Sequence, residues 1–340
     1  MPDHTAPPDP AAIRALLGTG FGTGFGTGVG TGGGTGGGTG GGTGGGTGVG
    51  TGFRTGVGLR GFGPPLRVGR VALGGMWCDD LRFGRPGGES VAAWFLHPRE
   101  SGQRVGAVLY CHAHGNRYDI GRAEFLSSRP ALQSAWAPAL AALGLAALCL
   151  EMPCFGDRAH PGEAALSKAL LWRGETLFGQ MLAEQIAGID FLASQPDIDP
   201  DRIGALGLSM GGTLAWWLAA LDTRLRATVQ MCAFADMAGL IARGANDVHG
   251  AYMTVPGLLR LTTTGALAGL AAPRAQMVCL GLADPGTPAD CVATARRDMD
   301  AAYAAAAAPP PVWVIDPDSG HVETPAMRTA ATAFLRHHLT

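Results

Sequence analysis

Ser209 stands where a strand-like run, Ile203–Leu208, gives way at once to an apolar helical stretch, with Gly207 before it and Gly211-Gly212 after it. A serine in that setting must sit on a sharp, strained turn that pushes its hydroxyl out at the carboxyl edge of a sheet, and the flanking glycines relieve the clashes such a turn creates. The chemistry this allows is nucleophilic attack on a carbonyl. The N–H of Met210, at the start of the following helix, is then placed to stabilise the oxyanion. Such a serine needs a base. The histidines after it are His249, His321, His337 and His338. His337 and His338 close the last helical stretch and suit its negative end. His321, in Asp318-Ser319-Gly320-His321, follows the last strand-like run on a loop at the same edge and is the expected base, with His249 as runner-up or pocket residue. The orienting acid is expected at Asp284, in Gly281-Leu282-Ala283-Asp284-Pro285, with Asp236 as its rival. A second oxyanion donor is expected from the loop after an early strand, at the backbone N–H of Asn116 in His112-Ala113-His114-Gly115-Asn116. His112 and His114 lack a third ligand at useful spacing, so no metal is expected. Arg117, Asp119, Arg122 and Glu124 follow, and read equally as an entrance lining or a solvated loop.

The elements that must position these residues alternate in type. Short apolar, β-branched runs at 66–73, 91–96, 105–111, 145–150, 203–208, 227–231, 277–280 and 312–315 read as buried strands of a mostly parallel sheet. Helical stretches lie between them, at 132–143, 175–194, 212–221, 289–307 and 325–339. The expectation is one α/β domain, 63–340, with eight strands, an antiparallel strand near its start and a helical insertion over 234–273. Residues 1–62 read as a disordered tail, since 24 of the 41 residues from Gly18 to Gly58 are glycine and have little to bury. GxGxxG matches there precede no helix-forming run and follow no strand, so no dinucleotide loop is expected.

Composition narrows the function further. The chain has 340 residues, is 46% apolar and carries a net charge of −2, so nothing suggests a phosphate-binding surface and no nucleic-acid partner is expected. The seven cysteines show no CxxC or zinc-ligand spacing and read as reduced core residues. No apolar stretch is long enough to span a bilayer, and the acidic, proline-rich start is unlike a secretory signal, so a cytoplasmic protein without a membrane partner is expected.

From about Val68 to Leu339 the chain resembles the α/β-hydrolase superfamily, most closely its dienelactone-hydrolase-like and acetyl-xylan-esterase-like branches. The residues that carry the resemblance are Cys111–Asn116, Met152–Arg158, Gly207–Gly212, Ala272-Pro273-Arg274, Gly281–Asp284 and Gly320-His321. Dienelactone hydrolases use a cysteine nucleophile where Ser209 stands here, so the resemblance implies a serine esterase acting on a small-molecule ester through Ser209, His321 and Asp284, with no cofactor. It also implies a preference for short acyl chains. The competing readings are a serine peptidase of the same fold and an inactive hydrolase-fold binding protein.

Overall fold

The computed structural model describes residues 7–18, 62–85, 89–100 and 102–340. Nine strands form one sheet: β1 Leu66–Leu73, β2 Met76–Gly84, β3 Ser90–Pro98, β4 Val105–Cys111, β5 Ala146–Leu150, β6 Ile198–Leu208, β7 Leu225–Met231, β8 Ala275–Gly281 and β9 Val312–Asp316. Their order is β1-β2-β3-β5-β4-β6-β7-β8-β9. β1, β2, β3 and β5 pair antiparallel, and every pairing from β5 through β4 to β9 is parallel. The parallel strands therefore send all their carboxyl ends to one edge, where turns from different strands meet.

The ninth strand, β2, is the element that the apolar pattern does not announce. Its sequence MWCDDLRFG is broken by Asp79-Asp80, yet Asp79 is 1% exposed. The neighbouring strand supplies the compensation: Arg70 reaches across and binds both Asp79 oxygens, at 2.5 and 2.8 Å. A charged pair in antiparallel register thus stands where alternation alone would expect a hydrophobic residue.

Helices cover both faces. On one lie α2 Glu124–Ser127, α3 Trp136–Ala142 and α10 Pro325–Leu339, packed on a core that includes Tyr110, Trp136, Met231 and Leu335. The other face carries α1 Pro10–Leu17, α4 Glu163–Leu171, α5 Leu177–Ser194, α6 Met210–Leu221, α7 Met237–Ala242, α8 Thr264–Gly269 and α9 Ala289–Ala305. All twelve residues of α6 are buried, which is why its sequence is apolar on every side. Between β7 and β8 the chain forms α7, three short 3₁₀ turns and α8.

Helix α1 departs from the expected tail. Pro10 opens it, Asp9 caps it by accepting the Ala11 N–H at 2.9 Å, and Ile13 and Leu17 are buried. Its end is tied to the domain because the Leu17 carbonyl accepts the Thr176 hydroxyl at 3.2 Å. The Gly/Thr-rich tract on which the tail expectation rested lies outside the described residues.

Candidate active site

Ser209 joins β6 to α6 with φ 58° and ψ −124°, a conformation costly for a residue with a Cβ. Two contacts hold it there. The Ser209 N–H donates to the Met231 carbonyl at 2.8 Å, and its carbonyl accepts the Thr213 N–H at 2.8 Å as the first bond of α6. Gly207 and Gly211 are required by close approach: a Cβ on Gly211 would collide with the Cys111 carbonyl oxygen, and one on Gly207 with the backbone of Gly211. Met210 is the first residue of α6, directly after Ser209, so its N–H has no partner within the helix.

Asp284 and His321 meet at that edge. The His321 Nδ1–H donates to Asp284 Oδ2 at 2.6 Å. Asp284 is buried and its other oxygen accepts the Gly286 N–H at 2.8 Å, while the His321 side chain remains partly exposed. The two loops are laced together, since Leu282 N–H donates to the Asp316 carbonyl and Ala283 N–H to the Ser319 carbonyl. Beyond His321, buried Glu323 accepts the Gln133 N–H at 2.9 Å and an Arg328 nitrogen at 2.6 Å, fixing the loop to the α2–α3 connection. No hydrogen bond joins the Ser209 hydroxyl to His321 among the contacts of the described residues. The rival acid, Asp236, caps α7 by accepting the Gly239 N–H at 2.8 Å. His249 lies near Asp284 and His321 as a cavity residue, and burial holds its imidazole below the ordinary histidine range.

The loop after β4 turns on two left-handed residues, Gly115 at φ 55° and Asn116 at φ 54°. The Asn116 N–H donates to His114 Nδ1 at 3.0 Å, so the expected oxyanion donor is held by its own loop. The other His114 nitrogen bonds Glu163 at the start of α4. Glu163 also accepts from the Tyr118 hydroxyl and the Tyr252 N–H, each at 2.9 Å. Burial alone would raise the Glu163 pKa, but the hydrogen bonds from His114 and the Tyr252 N–H bring it below the ordinary value. His112 is fully buried and its pKa is pushed down to about 3 by burial, leaving a neutral ring that accepts the Met152 N–H and donates to the Ala113 carbonyl. Each of the two loop histidines is therefore fixed by protein groups. Of the four residues beyond them, Arg117 and Asp119 pair on the surface, whereas Arg122 and Glu124 are buried. Glu124 binds the Ala113 N–H and the Tyr110 hydroxyl, anchoring the loop from below.

Sequence patterns gave no sign of Glu163, Tyr252 or Cys232, because each acts through a contact distant in the chain. Cys232, Asp284 and His321 bring one possible ligand atom each within 4.8 Å of one another. Burial pushes the Cys232 thiol up to about 12, so it is protonated at neutral pH, and Asp284 and His321 are bonded to each other.

Comparison with known proteins gives the same architecture. A model of the prolyl oligopeptidase family matches residues 162–339, and a model of acetyl xylan esterase matches residues 70–237. The Bacillus subtilis (strain 168) protein named "Putative hydrolase YtaP" is 35% identical over 254 residues, covering 74% of this chain and 85% of that protein. Among solved structures, acetyl xylan esterase 1 from Thermoanaerobacterium sp. JW/SL YS485 superposes with a TM-score of 0.55 at 18% identity, covering 81% of this chain and 87% of that one. The acetyl xylan esterase from Paenibacillus sp. R4 does so with a TM-score of 0.58 at 21% identity, covering 81% and 88%.

Proposed function

We propose that the chain, which belongs to the prolyl oligopeptidase family within the α/β-hydrolases and matches the acetyl xylan esterase model over residues 70–237, is a serine hydrolase that cleaves carboxylic esters. One observation carries this reading: a buried carboxylate at 2.6 Å from His321 Nδ1, on the sheet edge where a strained turn projects Ser209. In this mechanism Ser209 attacks the ester carbonyl while His321 Nε2 takes its proton and then delivers it to the leaving alcohol. Asp284 holds the ring in the tautomer with the proton on Nδ1 and stabilises the imidazolium. The Ser209–His321 hydrogen bond forms as substrate orders the site, since such bonds are often loose before substrate arrives. The N–H groups of Met210 and Asn116 bind the oxyanion, a donor being worth ~3 kcal/mol. For Asn116 this means that its N–H turns from His114 Nδ1 to the substrate oxygen. Water then hydrolyses the acyl-enzyme, and no cofactor takes part.

The match over residues 162–339 favours a second reading, a serine peptidase using the same residues. A panel of esters and chromogenic peptides separates the two. Higher kcat/KM on esters supports esterase action, and cleavage of peptides with esters left intact would replace it. The proposed location is the cytoplasm. All seven cysteines are free and buried, as a reducing compartment permits, and no helix among the described residues is long and apolar enough to cross a membrane.

A further inference from the structure

A cavity of about 430 Å³ lies under the helices that connect β7 to β8. Its walls are mostly aromatic and aliphatic, including Phe178, Trp216, Trp217 and Leu240, with Asn246 and Asp247 also on the lining. Several of its other lining residues adjoin the candidate catalytic groups. Thr213 is bonded through its N–H to the Ser209 carbonyl, Gly286 through its N–H to Asp284, and Ala233 follows Cys232. Gly250 sits against the His114 imidazole of the oxyanion loop. The space is thus bounded both by the acid side of the site and by its oxyanion side. One polar atom stands out within it: His249 Nε2 is buried and has no hydrogen-bond partner. Helix α7 contributes Leu240 and α8 contributes Leu267 to its lining.

Pockets of roughly 300–1,000 Å³ bury most of a drug-sized ligand. An acetyl methyl, comparable to one water's share of volume at ~30 Å³, would leave this cavity almost empty. A void lined by tryptophan, phenylalanine and leucine gains little from water, so the favourable occupant is an apolar group that removes that surface from solvent.

We propose that the cavity binds an apolar substituent of the ester substrate, a medium-length alkyl or an aryl group, with the His249 Nε2 atom hydrogen-bonded to a polar atom of the same ester. This rests on the esterase reading and runs against the short-acyl preference that the family resemblance implies. The substituent can enter as the acyl group or as the alkoxy group, and the two are separated by the substrates used.

The test measures kcat/KM on two series: p-nitrophenyl esters from acetyl to octanoyl, and acetate esters of alcohols from ethanol to octanol and benzyl alcohol. The expected result is a rise of about tenfold or more along one series, because each methylene accommodated by an apolar pocket contributes severalfold. The variants Ala235→Phe and Leu258→Trp project bulk into the cavity, and two positions are used so that a folding defect in one does not decide the outcome. Each folded variant should lose the rise, lowering its own long-to-short ratio about tenfold. His249→Phe should lower kcat/KM on the preferred long ester more than on acetyl esters. Acetyl esters cleaved with both series flat or falling would overturn the cavity assignment and leave the esterase reading standing. A rise that survives in both filled variants would also overturn it. Failure to cleave any ester would remove the esterase reading and this inference with it.

Discussion

Asp284 and Asp236 carry the same carboxylate into different surroundings. Asp284 faces the His321 ring from a buried position, while Asp236 accepts an N–H at the start of α7. Asparagine keeps the shape of either, but at position 284 it can hold the imidazole in the wrong tautomer and cannot stabilise its charge. Asp284→Asn is therefore expected to lower kcat on esters about a thousandfold or more. At position 236 asparagine caps a helix about as well as aspartate, so Asp236→Asn should stay within about twofold in activity. Steady-state kinetics on both variants decide the acid, and a severe loss confined to the Asp236 variant would reassign it. A second residue gives a pH signature. Glu151 is buried between Gly121 and Gly156, and burial pushes its pKa up from 4.5 to about 7. As pH rises from about 4.5 to about 7, the unfolded chain releases this proton and the native one retains it, so the folded state loses stability over that window. Glu151→Gln removes the effect and should gain about 1–3 kcal/mol relative to the wild type at pH 8 compared with pH 4.5. Urea unfolding at the two pH values measures it, and an unchanged difference between wild type and variant would refute the assignment.

At the level of elements, the Ser209 turn was legible because a strand, a glycine-flanked serine and a helix succeed one another within a dozen residues. The order of nucleophile, acid and base then pointed to Asp284 and His321. β2 escaped because its buried Asp79 is balanced by Arg70 on another strand, and a pattern search sees only the charge. Helix α1 escaped because the glycine tract that follows dominates the local composition, although Asp9-Pro10 is itself a helix-start signal. Its docking makes a clear prediction. Ile13 is fully buried, and Ile13→Ala should cost about 2–4 kcal/mol of unfolding free energy in urea. A change below about 0.5 kcal/mol, the range of surface substitutions, would show that α1 does not stay on the domain in solution.

Across the whole molecule, the class of fold and the edge that carries the site follow from the alternation of strands and helices, since parallel strands place their following loops together. What lies above that edge does not follow in the same way. The His114–Glu163–Tyr252 contacts join three segments far apart in the chain, and the 430 Å³ cavity is made by short helices whose individual sequences are unremarkable. The proposed chemistry rests on one atom, the Ser209 hydroxyl. An activity-based fluorophosphonate forms a covalent bond only with an activated nucleophile, and intact-mass analysis followed by peptide mapping locates it. A single adduct is expected on Ser209 of the full chain, absent in a folded Ser209→Ala variant that has also lost ester hydrolysis. An adduct on another residue, or ester hydrolysis persisting in Ser209→Ala, would contradict it.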